Sequence, residues 1–249
     1  MIKRILVLMM AFMLALPCFS CGGTASFFIR SPYNEDQQFG AFDNLDDAKK
    51  ALDGIKQLGY IIYNSKNKVE YCPFDSVAQS KILYQSKFVA DFVRENGYKY
   101  GDAQVNPSYD QGRTEKKVSC DRYVAWAIFL AGYTKSNYEN SRLNLYGEKN
   151  LENYLLDNGF VKINDVSDVR AGDVVFVGDS REHYPNLQGY WLDYPDHVFI
   201  CAGKSQNDHF YRYDAGSNAR LQSVQPSDEP LEYLPEKNFR YAYRAPEAF

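Results

Sequence analysis

The stretch from Val118 to Tyr133, VSCDRYVAWAIFLAGY, decides how the chain is read. A cysteine stands where a helix opens, an acid and a base follow, and an apolar run then continues to Gly132. Ser119 is the expected N-cap. Val124, Ala127, Ile128 and Ala131 recur at helical spacing and form the face to be buried. Free N–H groups in a first helical turn favour an anion, which is what a nucleophilic thiol must become. A lone cysteine is also a small hydrophobe, so a core role for Cys120 stands beside the reactive one.

Working outward, residues 77–96 predict a helix with Ile82, Phe88, Val89, Phe92 and Val93 on or near one face. The tract 102–117 is polar and loop-like, and 143–156 predicts a further helix with Gly159 as its stop. After residue 172 the pattern changes to strands: DVVFVG, HVFICAG, HFYRYDAG and FRYAYR are short apolar or alternating runs. Helices first and strands after imply an α+β fold with an antiparallel sheet. On the N-terminal side, residues 26–38 look like a loose lead-in. Phe39–Phe42, a helix capped by Asn44 and ended by Gly59, and a hairpin around Ser65–Asn67 then form a small βαββ unit.

A thiolate nucleophile needs a base that can later protonate the leaving amine. The chain has three histidines, His183, His197 and His209. His183 lies in a polar aromatic loop and His209 follows Asn207-Asp208 at a turn, whereas His197 opens a strong strand. A rigid imidazole at a sheet end can face a helix mouth, although a surface histidine at a strand start has the same signature. Asp214 lies on the next strand, 17 residues on, and can be the acceptor that orients the imidazole or simply a turn residue with Gly216.

The order of GYKYG, a helix-opening Cys, AGDVVFV, HVFICAG and a polar residue on the next strand resembles the NlpC-type cell-wall cysteine peptidases. These share a papain-like core with the CHAP amidases. The resemblance covers roughly residues 80–249 and implies a helix-borne Cys packed on an antiparallel sheet. It implies Cys120 as nucleophile, His197 as base and Asp214 as orienting residue, with Tyr98 near the sulfur and Gly172-Asp173 opening the strand before that of His197. The chain departs from the family pattern at Ser119, where Asp is usual, at Asp121-Arg122, where Ser-Gly is usual, and at Phe199, where Gly is common. The long insert from Gly178 to Pro195 carries Tyr184, Tyr190 and Trp191, and Trp191 is an expected substrate-binding residue.

The implied function is that of an exported cysteine hydrolase cleaving a peptidoglycan amide bond, an endopeptidase or amidase working as a monomer. A non-catalytic wall-binding module on the same fold and a papain-like acyltransferase or transpeptidase are the alternatives. No metal or organic cofactor is expected: a Cys–His mechanism needs none, and Cys72, His197 and Cys201 lack the spacing of a zinc site.

Composition limits the rest. The chain has 249 residues, 45% hydrophobic and 24% charged, with a formal net charge of −4, so no basic excess points to nucleic acid. Aromatics reach 16%, dominated by 21 Tyr and 16 Phe, in keeping with strand-rich structure. Lys3 and Arg4 precede an apolar run from Ile5 to Leu16, too short to span a bilayer and suited to a signal peptide over residues 1–25. No other segment predicts a membrane span. Secretion or attachment to the cell envelope is expected, with Cys21, after the small Ser20, a candidate lipid-bearing residue. A small module at 26–76 and the hydrolase domain at 77–249 follow. In the body of the chain, Cys72 and Cys201 can pair and leave Cys120 free, or all three can be thiols.

Overall fold

The computed structural model describes residues 25–33, 36–101, 117–134, 150–178, 195, 197–204, 210–215 and 239–247. Near the N-terminus, strands β1 (Phe27–Arg30), β2 (Gln38–Phe42), β3 (Ile61–Asn64) and β4 (Val69–Tyr71) form an antiparallel sheet in the order β2-β1-β3-β4. Helix α1 (Leu45–Asp53) begins where the Asn44 side chain accepts the Asp47 N–H at 2.9 Å. It buries Ala48 and Leu52 against Ile29 and Ile62. Residues 27–30, expected within a loose lead-in, are an inner strand, so the unit is ββαββ rather than βαββ. Phe27–Arg30 shows no alternation of its own, and its extended form is fixed by pairing with β2 on one side and β3 on the other.

Helix α1 also stops earlier than expected, at Asp53. A short 3₁₀ turn, Lys56–Leu58, follows, and it is this turn that Gly59 ends, at φ 76°. A Cβ on Gly59 would lie 2.3 Å from Ser80 O and 2.5 Å from Tyr84 N, both backbone atoms of the next helix. Gly59→Ala therefore combines left-handed strain with a backbone clash. It is expected to cost about 2–4 kcal/mol in urea unfolding. A loss below about 0.5 kcal/mol, the scale of an ordinary surface change, would mean that this contact does not hold the two parts together.

Helix α2 (Val77–Glu95) opens with a capping box between Ser76 and Gln79 and packs Ile82, Leu83, Val89, Ala90 and Val93 into the main core. Helix α3 (Cys120–Leu130) lies beside it and contributes Tyr123, Val124, Ala127 and Ile128. Before it, β5 (Lys99–Tyr100) and β6 (Lys117–Val118) pair in parallel. Helix α4 (Asn150–Asp157) ends before Gly159, which has φ 81°.

The second sheet holds β7 (Val161–Ile163), β8 (Val174–Val177), β9 (His197–Lys204), β10 (Phe210–Tyr213) and β11 (Phe239–Arg244) in the order β10-β9-β8-β11-β7, every pair antiparallel. The two faces of β9 meet different cores. Val198, Ile200 and Ala202 join the core that holds α2 and α3, while Phe199 and Cys201 join a smaller one with Val175, Phe210 and Ala242. Burial on both faces explains why HVFICAG reads as a continuous apolar run. The described residues are thus α+β, with two antiparallel sheets and one short parallel pair. Among the described residues no helix is long and apolar enough to cross a membrane.

Candidate active site

Cys120 is the first residue of α3, and its side chain is nearly covered, with the residue 3% exposed. Ser119 has the extended backbone of an N-cap, but its side chain makes no capping bond. Its hydroxyl instead donates to the Asp121 carboxylate, which is itself buried. The helix mouth at Cys120 thus lacks the side-chain acceptor that an N-cap serine ordinarily supplies.

His197 opens β9 with its side chain 20% exposed. Its Nε2 lies 2.7 Å from Asp214 Oδ2, and the ring also hydrogen-bonds to Cys120, which leaves Nδ1 for the sulfur. Burial alone would lower the imidazole pKa. The hydrogen bonds to Asp214 and Cys120, with the charges of both, outweigh that effect and push it up to about 10. Topology brings the acid here. β10 runs antiparallel to β9 with Tyr213 opposite Ile200, so the residue following β10 arrives near the start of β9. That residue is Asp214, 4% exposed.

Two further groups belong to the cluster. Arg212 Nη1 forms an ion pair with Asp214 Oδ2 at 3.2 Å. The Tyr100 hydroxyl stands 4.0 Å from Cys120 Sγ, on a residue 38% exposed. Tyr98, expected as the tyrosine near the sulfur, is 5% exposed, with its ring packed against Phe92 and Trp126. The tyrosine that combines solvent access with approach to the sulfur is Tyr100. Within GYKYG both tyrosines fall on the same parity, so strand periodicity does not separate them. Arg212 carried a readable signal: it sits two residues before Asp214, hence on the same side of an extended strand.

Cys201 is fully buried with Phe199 and Phe210 in the smaller core, and burial pushes its thiol up to about 12. Cys72 is half-buried and hydrogen-bonds to Ser80 Oγ at 3.2 Å. Both are free thiols, as is Cys120, so the structure contains no Cys72–Cys201 disulfide. Among the described residues no group of three or more His, Cys, Asp or Glu is placed to hold a metal ion. The signal peptide with Cys21, the residues preceding α4, and His183, His209 and Trp191 lie outside the described residues.

Comparison of the chain with models of known protein families, with curated proteins and with solved structures finds no match. The chemistry of the cluster therefore rests on its geometry. A thiol at a helix mouth, an imidazole bonded to it, and a carboxylate fixing the far ring nitrogen are the parts of a nucleophile–base pair with its orienting acceptor.

Proposed function

We propose that the protein is a papain-like cysteine hydrolase that cleaves an amide bond of bacterial peptidoglycan outside the cytoplasm. The observation that carries this reading is the buried bridge from Cys120 through His197 to Asp214, assembled from α3, β9 and the end of β10. A purely packing cysteine has no need of an imidazole held on its other side by a carboxylate. Cys201, which packs in an apolar core, illustrates that contrast.

In the proposed reaction, Cys120 gives its thiol proton to His197, and Sγ attacks the amide carbonyl carbon, forming a C–S bond as the carbonyl π pair moves onto oxygen. The oxyanion is held by the Cys120 backbone N–H and a second donor. His197 passes its proton to the leaving nitrogen as the C–N bond breaks, and the amine departs. Water then attacks the thioester with His197 as base, releasing a carboxylate and restoring the thiol. Asp214 keeps the imidazole aimed throughout. Tyr100 is placed to touch the substrate beside the sulfur, a role for which Tyr98 is too deeply covered. The assignment of peptidoglycan rests on the resemblance of the motif order to NlpC-type enzymes and on the signal-like N-terminus.

Digestion of purified sacculi by the mature protein tests the proposal. Hydrolysis is expected to release soluble muropeptides with one new amino terminus and one new carboxylate per cut. With a free amine acceptor added, conversion of the acyl group mainly to a new amide would replace hydrolysis by acyl transfer. Tight binding to sacculi with no new termini would leave a binding module in its place.

A further inference from the structure

The Asp214 carboxylate meets His197 and Arg212 through the same oxygen, Oδ2, at 2.7 and 3.2 Å. Its side chain is only 6% exposed, and that of Arg212 13%. A buried carboxylate needs a compensating charge. In the proposed reaction His197 supplies one only while protonated. Each time it gives its proton to the leaving amine, the charge opposite Asp214 disappears. Arg212 is the cation that remains.

The way Arg212 is held differs from that of a structural arginine. Arg244 shows the structural case: its Nε and Nη2 both bond to Asp173, and Nη2 also reaches Asp168 O. Arg212 instead leaves Nε buried without a hydrogen-bond partner among the described residues. Such an unmet buried donor is a cost to the fold. That cost argues against placement for stability alone. The guanidinium is turned so that its charge lies beside the oxygen that orients the imidazole. The irregular step in the β10–β9 register between Tyr211 and Arg212 re-aims the strand at this point.

We infer that Arg212 is a positioning residue of this site, a permanent countercharge that keeps the Asp214 carboxylate on His197 when the imidazole is neutral. The inference rests on the hydrolase reading for its consequence in turnover, but not for its effect on the His197–Asp214 contact. Among the described residues, the charged and titratable groups facing the His197–Asp214 pair are Arg212 from β10 and Cys120 and Tyr123 from α3.

The test uses the full mature chain as wild type, Arg212→Lys, Arg212→Gln and Arg212→Ala, with two readouts. The first is kcat and KM on soluble muropeptides. The second is the downfield proton resonance of His197 Nε2–H, identified by its absence in His197→Gln, and it needs no turnover. Arg212→Gln and Arg212→Ala are expected to lose about 10- to 100-fold in kcat, as for a misaimed catalytic group, with KM changed less than about twofold. Their resonance should broaden or vanish. Arg212→Lys keeps the charge and should recover both. Unchanged kcat with an intact resonance in Arg212→Gln would overturn the inference. So would a loss confined to KM, or an Arg212→Lys protein as impaired or as unfolded as Arg212→Ala. If the wild type turns over no muropeptide, the hydrolase reading falls, and the resonance in the four proteins still decides whether Arg212 holds the pair.

Discussion

Replacement of Cys120 by Ala is expected to reduce muropeptide release at least about 1000-fold, and His197→Ala by a similar factor. The double variant should be no worse than either single one, because nucleophile and base act as a unit and neither retains a function without the other. Circular dichroism should match the wild type for Cys120→Ala, whose loss removes one sulfur from a helix end. The pH profile carries the same signature. His197 holds its proton up to about pH 10, so proton donation to the leaving amine should persist through neutral pH and fail as pH rises past that value. Stability follows the same direction. An imidazole raised above its unfolded value near 6.5 stabilises the fold fully below that value, and the contribution is lost as pH rises to about 10. Retention of activity by Cys120→Ala would remove the nucleophile from the site and the proposed function with it.

The largest expected loss of stability lies elsewhere, at Arg244→Met. Asp173 is completely buried, and its carboxylate accepts from Arg244 Nε at 3.0 Å, from Arg244 Nη2 at 2.8 Å and from the Arg170 N–H at 2.7 Å. Removing the guanidinium strands a buried anion, which costs about 3–5 kcal/mol. Methionine keeps an unbranched apolar stem in place of the Arg244 side chain, so the loss reports charge more than volume. Burial already raises the Asp173 pKa, against the pull of Arg244, and without Arg244 it should rise further. A carboxyl whose folded pKa exceeds its unfolded one binds more protons in the fold, so stability is gained as pH falls through the folded value toward the unfolded one. The deficit of Arg244→Met against wild type in urea unfolding should therefore narrow as pH is lowered from neutrality. A deficit under about 1 kcal/mol, or one independent of pH, would show that the pair contributes no more than an exposed ion pair does.

Different parts of this molecule were legible for different reasons. The helix opening at Cys120 and the strand opening at His197 could be read because each begins a long apolar run with a single periodicity. The approach of Asp214 to His197 followed from hairpin geometry: two consecutive antiparallel strands return the chain to its starting end. Phe27–Arg30 and Val161–Ile163 escaped notice because strands of three or four residues carry too little pattern, and their conformation comes from neighbours distant in sequence. Ser119 stands at the N-cap as expected, and only the destination of its hydroxyl lies beyond the sequence. Its hydroxyl had two local acceptor-donor options, and the buried Asp121 carboxylate took it. The choice between Tyr98 and Tyr100 depends on how β5 sits against β6, a tertiary fact that GYKYG does not contain.

Tyr213, the residue just before Asp214, donates its hydroxyl to Gln57 O at 3.0 Å, across to the 3₁₀ turn of the N-terminal unit. On the same side, Tyr33 donates to the carbonyls of Lys81 and Ala131, and Tyr60 meets Tyr84 edge-on. The first 50 described residues are thus riveted to the strand and helices around the Cys120–His197–Asp214 cluster, not strung ahead of them on a tether. An engineer exchanging the front unit for another would be removing a footing of the cluster, since Asp214 follows a buried tyrosine whose hydroxyl is seated on that unit.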